Sequence, residues 1–503
     1  MNTTISFLPL IFFIVPAVAA FLIMATGEKY PNLRESWTII AGLINLVLIF
    51  LTLPRVLNGE LISTEHYTLV KNVDFILKID SAGMVFAALA SLLWVFTSFY
   101  SIGYMRAEKK KNQSGYFASF AMCIAATMGI SFAGNLLTFF IFYEILTIAT
   151  YPLVIHNRHE EHIQSGRKYL AYTLISGQLF LVGIIWLYSL AGTTDFVPGG
   201  FLQNVTNTSS LTMIFILLVI GASVKAGLMP FHGWLPAAMV APTPVSALLH
   251  AVAVVKAGAF ALVRIIGYVY GFDVLASLGV ADYLAWMAAF TILTSSIIAM
   301  KQDNLKKRLA FSTIGQLSYI ILGLALLNQQ AFLGAIFHMV AHAFMKITLF
   351  FCAGAIFINT GGTYGGGKKY ISQIHGIGRQ MPVTMAMFGL ASVGISGMPF
   401  IVGFISKWNL ALGAIAGGDL LFVLVLVASA MLSASYLVPV FILAFYNKNE
   451  EYPAYKEVRK DMLIPIVFTG IASVVLGVFP DLGLNFYELA VASAEIVTKG
   501  LGG

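Results

Sequence analysis

About fourteen apolar stretches follow one another along the chain, each long enough to cross a bilayer as a helix. One span needs roughly 20 predominantly apolar residues. The stretches lie near 5–27, 37–57, 81–105, 115–134, 135–155, 165–190, 211–239, 244–271, 276–300, 305–328, 331–359, 382–415, 418–446 and 462–480. Backbone groups in lipid must be paired internally, and stretches of this length achieve that as helices. The expected fold is an all-α membrane protein of about fourteen transmembrane helices, a single polytopic membrane domain over residues 1–503. The composition agrees, at 59% hydrophobic and 10% charged. Soluble domains carry about 25% charged residues. The apolar start has no basic region before it and no clear cleavage site, so it reads as the first span rather than a signal peptide.

The loops alternate in charge. Numbered by the span before them, the odd loops hold most of the basic residues, among them Arg34, Arg106, Lys110, Arg167, Lys306, Lys369, Lys448 and Lys460. The even loops hold Arg55, Lys71 and Lys78, offset by Glu60, Glu65, Asp74 and Asp80. The positive-inside rule puts the odd loops in the cytoplasm and both termini outside. The net charge of +7 is explained the same way, with no nucleic-acid partner.

Two spans are interrupted by similar sequences. Gly227-Leu-Met-Pro-Phe231 breaks the seventh and Ser396-Gly-Met-Pro-Phe400 the twelfth. Pro230 and Pro399 each remove a helix hydrogen bond, while Gly227 and Gly397 loosen the backbone. The two spans run in opposite directions. Broken helices at matching places of an inverted repeat mark transport sites.

Charged residues deep in the spans need a reason, because each costs about 2.5–3.5 kcal/mol near the bilayer centre. Glu144 is the clear deep carboxylate; Lys225, Lys256, Arg264, Lys346 and Lys407 are the deep cations. One carboxylate cannot neutralise five cations. Burial disfavours an ammonium ion, so a buried lysine is suited to taking and giving up a proton. A carboxylate opposes this. At an assumed 8 Å and an effective dielectric of about 20, the attraction is roughly 2 kcal/mol, enough for Glu144 to bias Lys225. Arg264 lies nearer a segment end, where a long side chain snorkels to the interface, and is left out of the relay.

His338, His342 and Lys346 stand at i, i+4 and i+8, one stripe on a helix. Two histidines four apart also suit a metal, but no third ligand is near and the HExxH pattern is absent. Histidine titrates near neutrality, which favours a proton relay. His250, near Lys256, and His232, beside the first break, are secondary relay candidates. Gly362–Lys369 falls short of a phosphate-binding loop for want of a terminal Ser or Thr. His156, His159 and His162 read as a solvated loop. Cys123 and Cys352 form neither a disulfide framework nor a metal motif. No ATP, iron–sulfur or haem motif is found, so no cofactor or redox centre is expected, and an ion gradient or a partner must supply the energy.

The stretch Lys225-Ala-Gly-Leu-Met-Pro-Phe-His-Gly-Trp-Leu-Pro236, with Ala241–His250, Val255–Gly258, Lys307–Tyr319 and Gly403–Trp408, resembles the antiporter-like subunits. These occur in respiratory complex I, Mrp multi-subunit cation/proton antiporters and membrane-bound hydrogenases. The resemblance covers roughly residues 80–450. It implies two inverted five-helix repeats, here 115–272 and 276–446, with discontinuous seventh and twelfth helices. It makes Glu144 the partner of Lys225, places Lys256 and the His338/His342/Lys346 stripe in a central relay, and makes Lys407 the terminal lysine. It implies homologous membrane subunits as partners, redox subunits in some assemblies, and a prokaryotic inner membrane. The lysine at 256 looks most like L-type or large Mrp subunits. Alanine at 237, and the chain end at Gly503 without a long lateral helix, leave D-type Mrp and hydrogenase-type subunits open. Proton translocation within a complex is the leading expectation; sodium/proton exchange and a non-conducting scaffold are the alternatives.

Overall fold

The computed structural model describes residues 3–70, 73–446, 452 and 454–499. Lys71 and Lys448, counted above among the loop charges, lie outside the described residues. The first six spans are α1 (Leu8–Thr26), α2 (Pro31–Leu57), α3 (Ser81–Ala107), α4 (Gln113–Phe132), α5 (Leu136–Val154) and α6 (Glu160–Ala191). Then come α7 (Thr208–Ala226) with short turns to Val240, α8 (Thr243–Tyr270), α9 (Val280–Met300), α10 (Leu305–Ala325) and α11 (Gln329–Asn359). The twelfth span is split into α12 (Pro382–Ser396) and α13 (Val402–Ala416); α14 (Leu420–Tyr446) and α15 (Lys460–Val478) complete the set. Among the described residues thirteen helices are long and apolar enough to cross a membrane, and the α12–α13 pair adds the fourteenth span. The protein is an all-α membrane protein, as expected.

Two boundaries that hydropathy leaves soft are set by caps. The Asn135 side chain accepts from the Thr138 N–H and starts α5. Asn304 does the same for Lys307 and starts α10. Each satisfies a donor that the first helical turn leaves without a partner.

The alternating loops are segregated in space. At one end Arg106 pairs with Glu35, the Ser114 N–H with Glu28, Leu305 N–H with the Lys369 carbonyl, and Thr363 with Glu108. All of these lie in or beside odd loops. At the other end the strands β1 (Thr3–Ile5), β2 (Leu61–Ser63) and β5 (Lys78–Ile79) form one small sheet, β1 parallel and β5 antiparallel to β2. A two-stranded ribbon of β3 (Tyr67–Val70) and β4 (Val73–Phe75) lies between β2 and β5 in sequence. After α15, the amphipathic α16 (Phe486–Lys499) buries one face, with Ser493 hydrogen-bonded to Ser81 of α3 and Phe486 against Phe344 of α11.

Both breaks have the same local cause. α7 stops at Gly227, whose φ of 72° is left-handed, and the Leu228 N–H closes back on the Ser223 carbonyl at 3.1 Å. α12 stops at Gly397, φ 92°, and the Met398 N–H closes on Val393 at 3.2 Å. Glycine adopts this conformation without a Cβ penalty. A third irregularity has no proline to announce it. α8 widens to i→i−5 hydrogen bonding on both sides of Lys256, with Ala253 N–H to Leu248 and Gly271 N–H to Ile266, both 3.0 Å. Such wide turns gather at functional sites. α8 is buried along its whole length and α11 nearly so, whereas α1 and α14 are about one-third buried. Lys256, Arg264 and Lys346 thus sit on the most enclosed helices, while Glu144 and Lys225 sit on α5 and α7, half and two-thirds buried.

Arg264 does not snorkel. It is 1% exposed and pairs with Asp80 through both carboxylate oxygens, at 2.5 and 2.9 Å, and with the Ser131 carbonyl. Phe196, Phe260 and Tyr268 surround its guanidinium. Sequence position missed this because the partner lies on another helix. Asp80 also caps α3, so the pair ties α8 to the start of α3.

Candidate functional site

Lys225 lies two residues before the first break and is fully buried. Its Nζ donates to the Tyr143 carbonyl at 2.5 Å and stands 3.2 Å from the centre of the Tyr143 ring. The carbonyl and the ring face both favour a cation. Tyr143 is fixed in turn by its hydroxyl, which donates to the Gly221 carbonyl of α7 at 3.0 Å. Glu144 follows Tyr143 but its carboxylate turns elsewhere. Neither oxygen has a hydrogen-bond partner, and both are buried. The carboxylate lies against Gly177 of α6, where an added Cβ would sit 2.3 Å from Oε1. Glu144 and Lys225 therefore flank one tyrosine without a hydrogen bond between them. α8 presses on this site: a Cβ on Gly258 would lie 2.4 Å from the Ala226 nitrogen.

The central residues form a linked set. Lys256 Nζ lies 2.6 Å from His342 Nδ1. His342 and His338 are near-parallel rings 6.2 Å apart. His338 Nδ1 is 2.8 Å from Ser406 Oγ, and its ring lies over Tyr319 at 5.3 Å. The other face of the connection is Lys407, with its Nζ 4.8 Å from the Tyr319 ring centre and 2.5 Å from the Ile395 carbonyl, just before the second break. Lys346 completes the α11 stripe and donates to Ser312 Oγ at 2.8 Å. The Nε2 atoms of His338 and His342 are buried without partners. Such groups in a polar interior are placed for ordered water.

The structure thus brings together Lys256, His342, His338 and, through Ser406 and Tyr319, Lys407. Lys225 is set apart with Tyr143. His250 is fully buried against Phe350, 4.9 Å between rings, and neither ring nitrogen is hydrogen-bonded. His232 is half-buried at the first break, its ring 6.2 Å from Phe311. The Nδ1 atoms of His338 and His342 face Ser406 and Lys256 rather than a common point. Among the described residues no group of three or more His, Cys, Asp or Glu is placed to hold a metal ion.

Three contributors escape a search for buried charge: Ser312, Tyr319 and Ser406. Neutral hydroxyls cost little in a span and so attract no notice. Two signals were available. Ser312 and Tyr319 fall in Lys307–Tyr319, and Ser406 in Gly403–Trp408, both among the motif stretches.

Comparison with known proteins adds three findings. Residues 133–433 match the family described as NADH:quinone oxidoreductase/Mrp antiporter, TM. The chain is 33% identical over 421 residues to the NADH-quinone oxidoreductase subunit N of Desulforudis audaxviator (strain MP104C), covering 79% of this chain and 82% of that one. It is 25% identical over 392 residues to the D-type component of an Na(+)/H(+) antiporter of Bacillus subtilis (strain 168), covering 78% of this chain and 77% of that one. Among solved structures, a chain of the membrane-bound sulfane sulfur reductase, an archaeal respiratory membrane complex, superposes with a TM-score of 0.86 at 23% identity, covering 98% of this chain and 99% of that one. That likeness speaks for the fold.

Proposed function

Because the chain belongs to the NADH:quinone oxidoreductase/Mrp antiporter transmembrane family, we propose that it is a proton-translocating, antiporter-like subunit of a larger membrane complex. The observation that carries this reading is the buried line Lys256–His342–His338–Ser406, with Lys407 at one end and Lys346 beside it. Lys256 with His342 and His338 with Ser406 are within range for direct proton exchange, and ordered water between the two imidazoles would carry the proton across the 6.2 Å that separates them, without moving a heavy ion. Sodium prefers oxygen ligands, and this line offers nitrogens. Glu144 and Lys225 act as the control point, with the carboxylate biasing the lysine across Tyr143. Residues 115–272 and 276–446 serve as inverted repeats, each with one broken helix. Homologous membrane subunits, and redox subunits where present, supply the driving event. The odd loops face the cytoplasm of a prokaryotic cell and both termini face outward, following the basic residues.

The test is proton flux in everted membrane vesicles that hold the chain with its native partners, with and without sodium. His342→Ala should abolish flux while leaving the chain in the membrane. Undiminished flux in that variant would refute the reading.

A further inference from the structure

Lys346 lies on the central stripe, yet its hydrogen bond leads away from it, toward the odd-loop end. Its Nζ donates to Ser312 Oγ at 2.8 Å. The Tyr436 hydroxyl of α14 donates to the same oxygen at 3.0 Å. Ser433 Oγ lies 3.3 Å from that hydroxyl, and nearby Ser296 of α9 donates its own hydrogen to the Ile292 carbonyl at 2.8 Å. Ser296 is four residues short of Met300, where α9 ends in an odd loop. Ser312 is seven residues past Leu305, where α10 leaves the same loop, about 10 Å deep by helical rise. Ser296, Tyr436 and Ser312 are at most 2% exposed.

We propose that Tyr436 and Ser312 form a hydroxyl path that carries protons to and from Lys346 on its odd-loop side. The proposal rests on the proton-translocating reading above.

Three features support it. A hydroxyl is donor and acceptor at once, so a row of them passes a proton without holding a charge. Ser312 also differs from its neighbours. Thr313 and Ser318 on the same helix commit their hydroxyls to the Leu309 and Ile314 carbonyls, whereas Ser312 Oγ accepts from Lys346 and Tyr436. Its own hydrogen is free to turn toward Lys346 once that amine is neutral. Finally, the backbone of Tyr436 is anchored, with Arg308 Nη1 donating to its carbonyl at 2.8 Å.

The transfer balances. An excess proton, arriving as hydronium from the odd-loop side and leaving neutral water, passes to the Tyr436 oxygen as that hydroxyl gives its own proton to Ser312. Ser312 gives its proton to the neutral amine of Lys346, forming the ammonium ion. Both hydroxyls end with one hydrogen each and reset by rotation.

The experiment compares Ser312→Ala, Ser312→Thr, Tyr436→Phe and His342→Ala in everted vesicles with the native partners. Initial proton flux is normalised to the amount of chain in the membrane. Ser312→Ala and Tyr436→Phe should each lower flux about tenfold or more, and Ser312→Thr, which keeps the hydroxyl, should retain most of it. Full flux in Ser312→Ala and Tyr436→Phe with none in His342→Ala overturns the path and leaves the proton reading standing. Equal losses in Ser312→Ala and Ser312→Thr also overturn it, because they mark a packing role. Full flux in His342→Ala removes the premise of both.

Discussion

The surroundings of Lys225 and of Lys346 differ, although both are fully buried lysines on helices near a break or its partner. Lys225 has one carbonyl and one ring face, both from Tyr143, and the nearest carboxylate is turned away from it. Lys346 belongs to a set of histidines, lysines and hydroxyls spread over α8, α10, α11, α13 and α14. In the proposed function the first site is influenced by charge at a distance, and the second transfers protons by contact. A tenfold change needs about 1.4 kcal/mol of electrostatic bias, which a carboxylate supplies across several ångströms. Proton hops need hydrogen-bonding distance. The two regions should therefore fail in different ways when altered.

The comparison breaks most visibly at the contact end. His342→Ala and Lys256→Ala should each reduce proton flux by about a hundredfold or more, measured in vesicles, and even His342→Asn should not restore it. Survival of flux in His342→Asn would mean that this half tolerates what only the first half should tolerate. Next in size is Glu144→Gln, with an expected loss on the order of tenfold, the effect of about 1.4 kcal/mol of lost attraction. Glu144→Asp keeps the charge and should restore most of the rate; equal rates for Gln and Asp would contradict a role for charge. Gly177→Ala tests the fit of Glu144. The new Cβ would meet Oε1 at 2.3 Å, so crowding should cost about 1–3 kcal/mol of stability. That loss is readable as a lower midpoint of thermal unfolding, and Glu144→Ala in the same chain should relieve it.

The smallest effect concerns the odd-loop end of the first region. His156 follows the end of α5 and, contrary to the solvated-loop reading, is half-buried there, with His162 buried beside it; burial, helped by the nearby Lys110 and Arg158 charges, pushes the His156 imidazole down to about 4. In the unfolded chain it titrates near 6.5. The unfolded state therefore binds more protons between these values, and stability falls as pH drops from about 6.5 toward 4. His156→Gln should flatten that part of the pH–stability curve slightly. An unchanged curve would show that this loop does not secure the first region.

Much of the fold could be read in advance. The spans follow from hydropathy, and the breaks follow from Gly227, Pro230, Gly397 and Pro399. The stripe of His338, His342 and Lys346 follows from helical spacing, and their burial together on α11 agrees with it. What could not be read is who meets whom. Lys256 and His342 are 86 residues apart, and Arg264 finds Asp80 across 184. Spacing carries no such information, so Arg264 looked like an interfacial residue. The turn of Glu144 away from Lys225 was hidden for a related reason: it depends on Gly177 leaving room on α6. The wide turns of α8 lack any proline or glycine pair to signal them at Lys256.

The stripe on α11 has a consequence for energy supply. His338 and Lys346 are separated along one helix by eight residues, about 12 Å of rise. If α11 stands near the membrane normal, that is about two-fifths of a 30 Å hydrocarbon core. One elementary charge crossing the whole membrane at 100 mV gains about 2.3 kcal/mol. A proton shifted between Lys346 and His338 would then exchange about 0.9 kcal/mol with the same voltage. In the proposed function the stripe would then be an electrogenic element, its occupancy responding to membrane potential before any proton has left the protein.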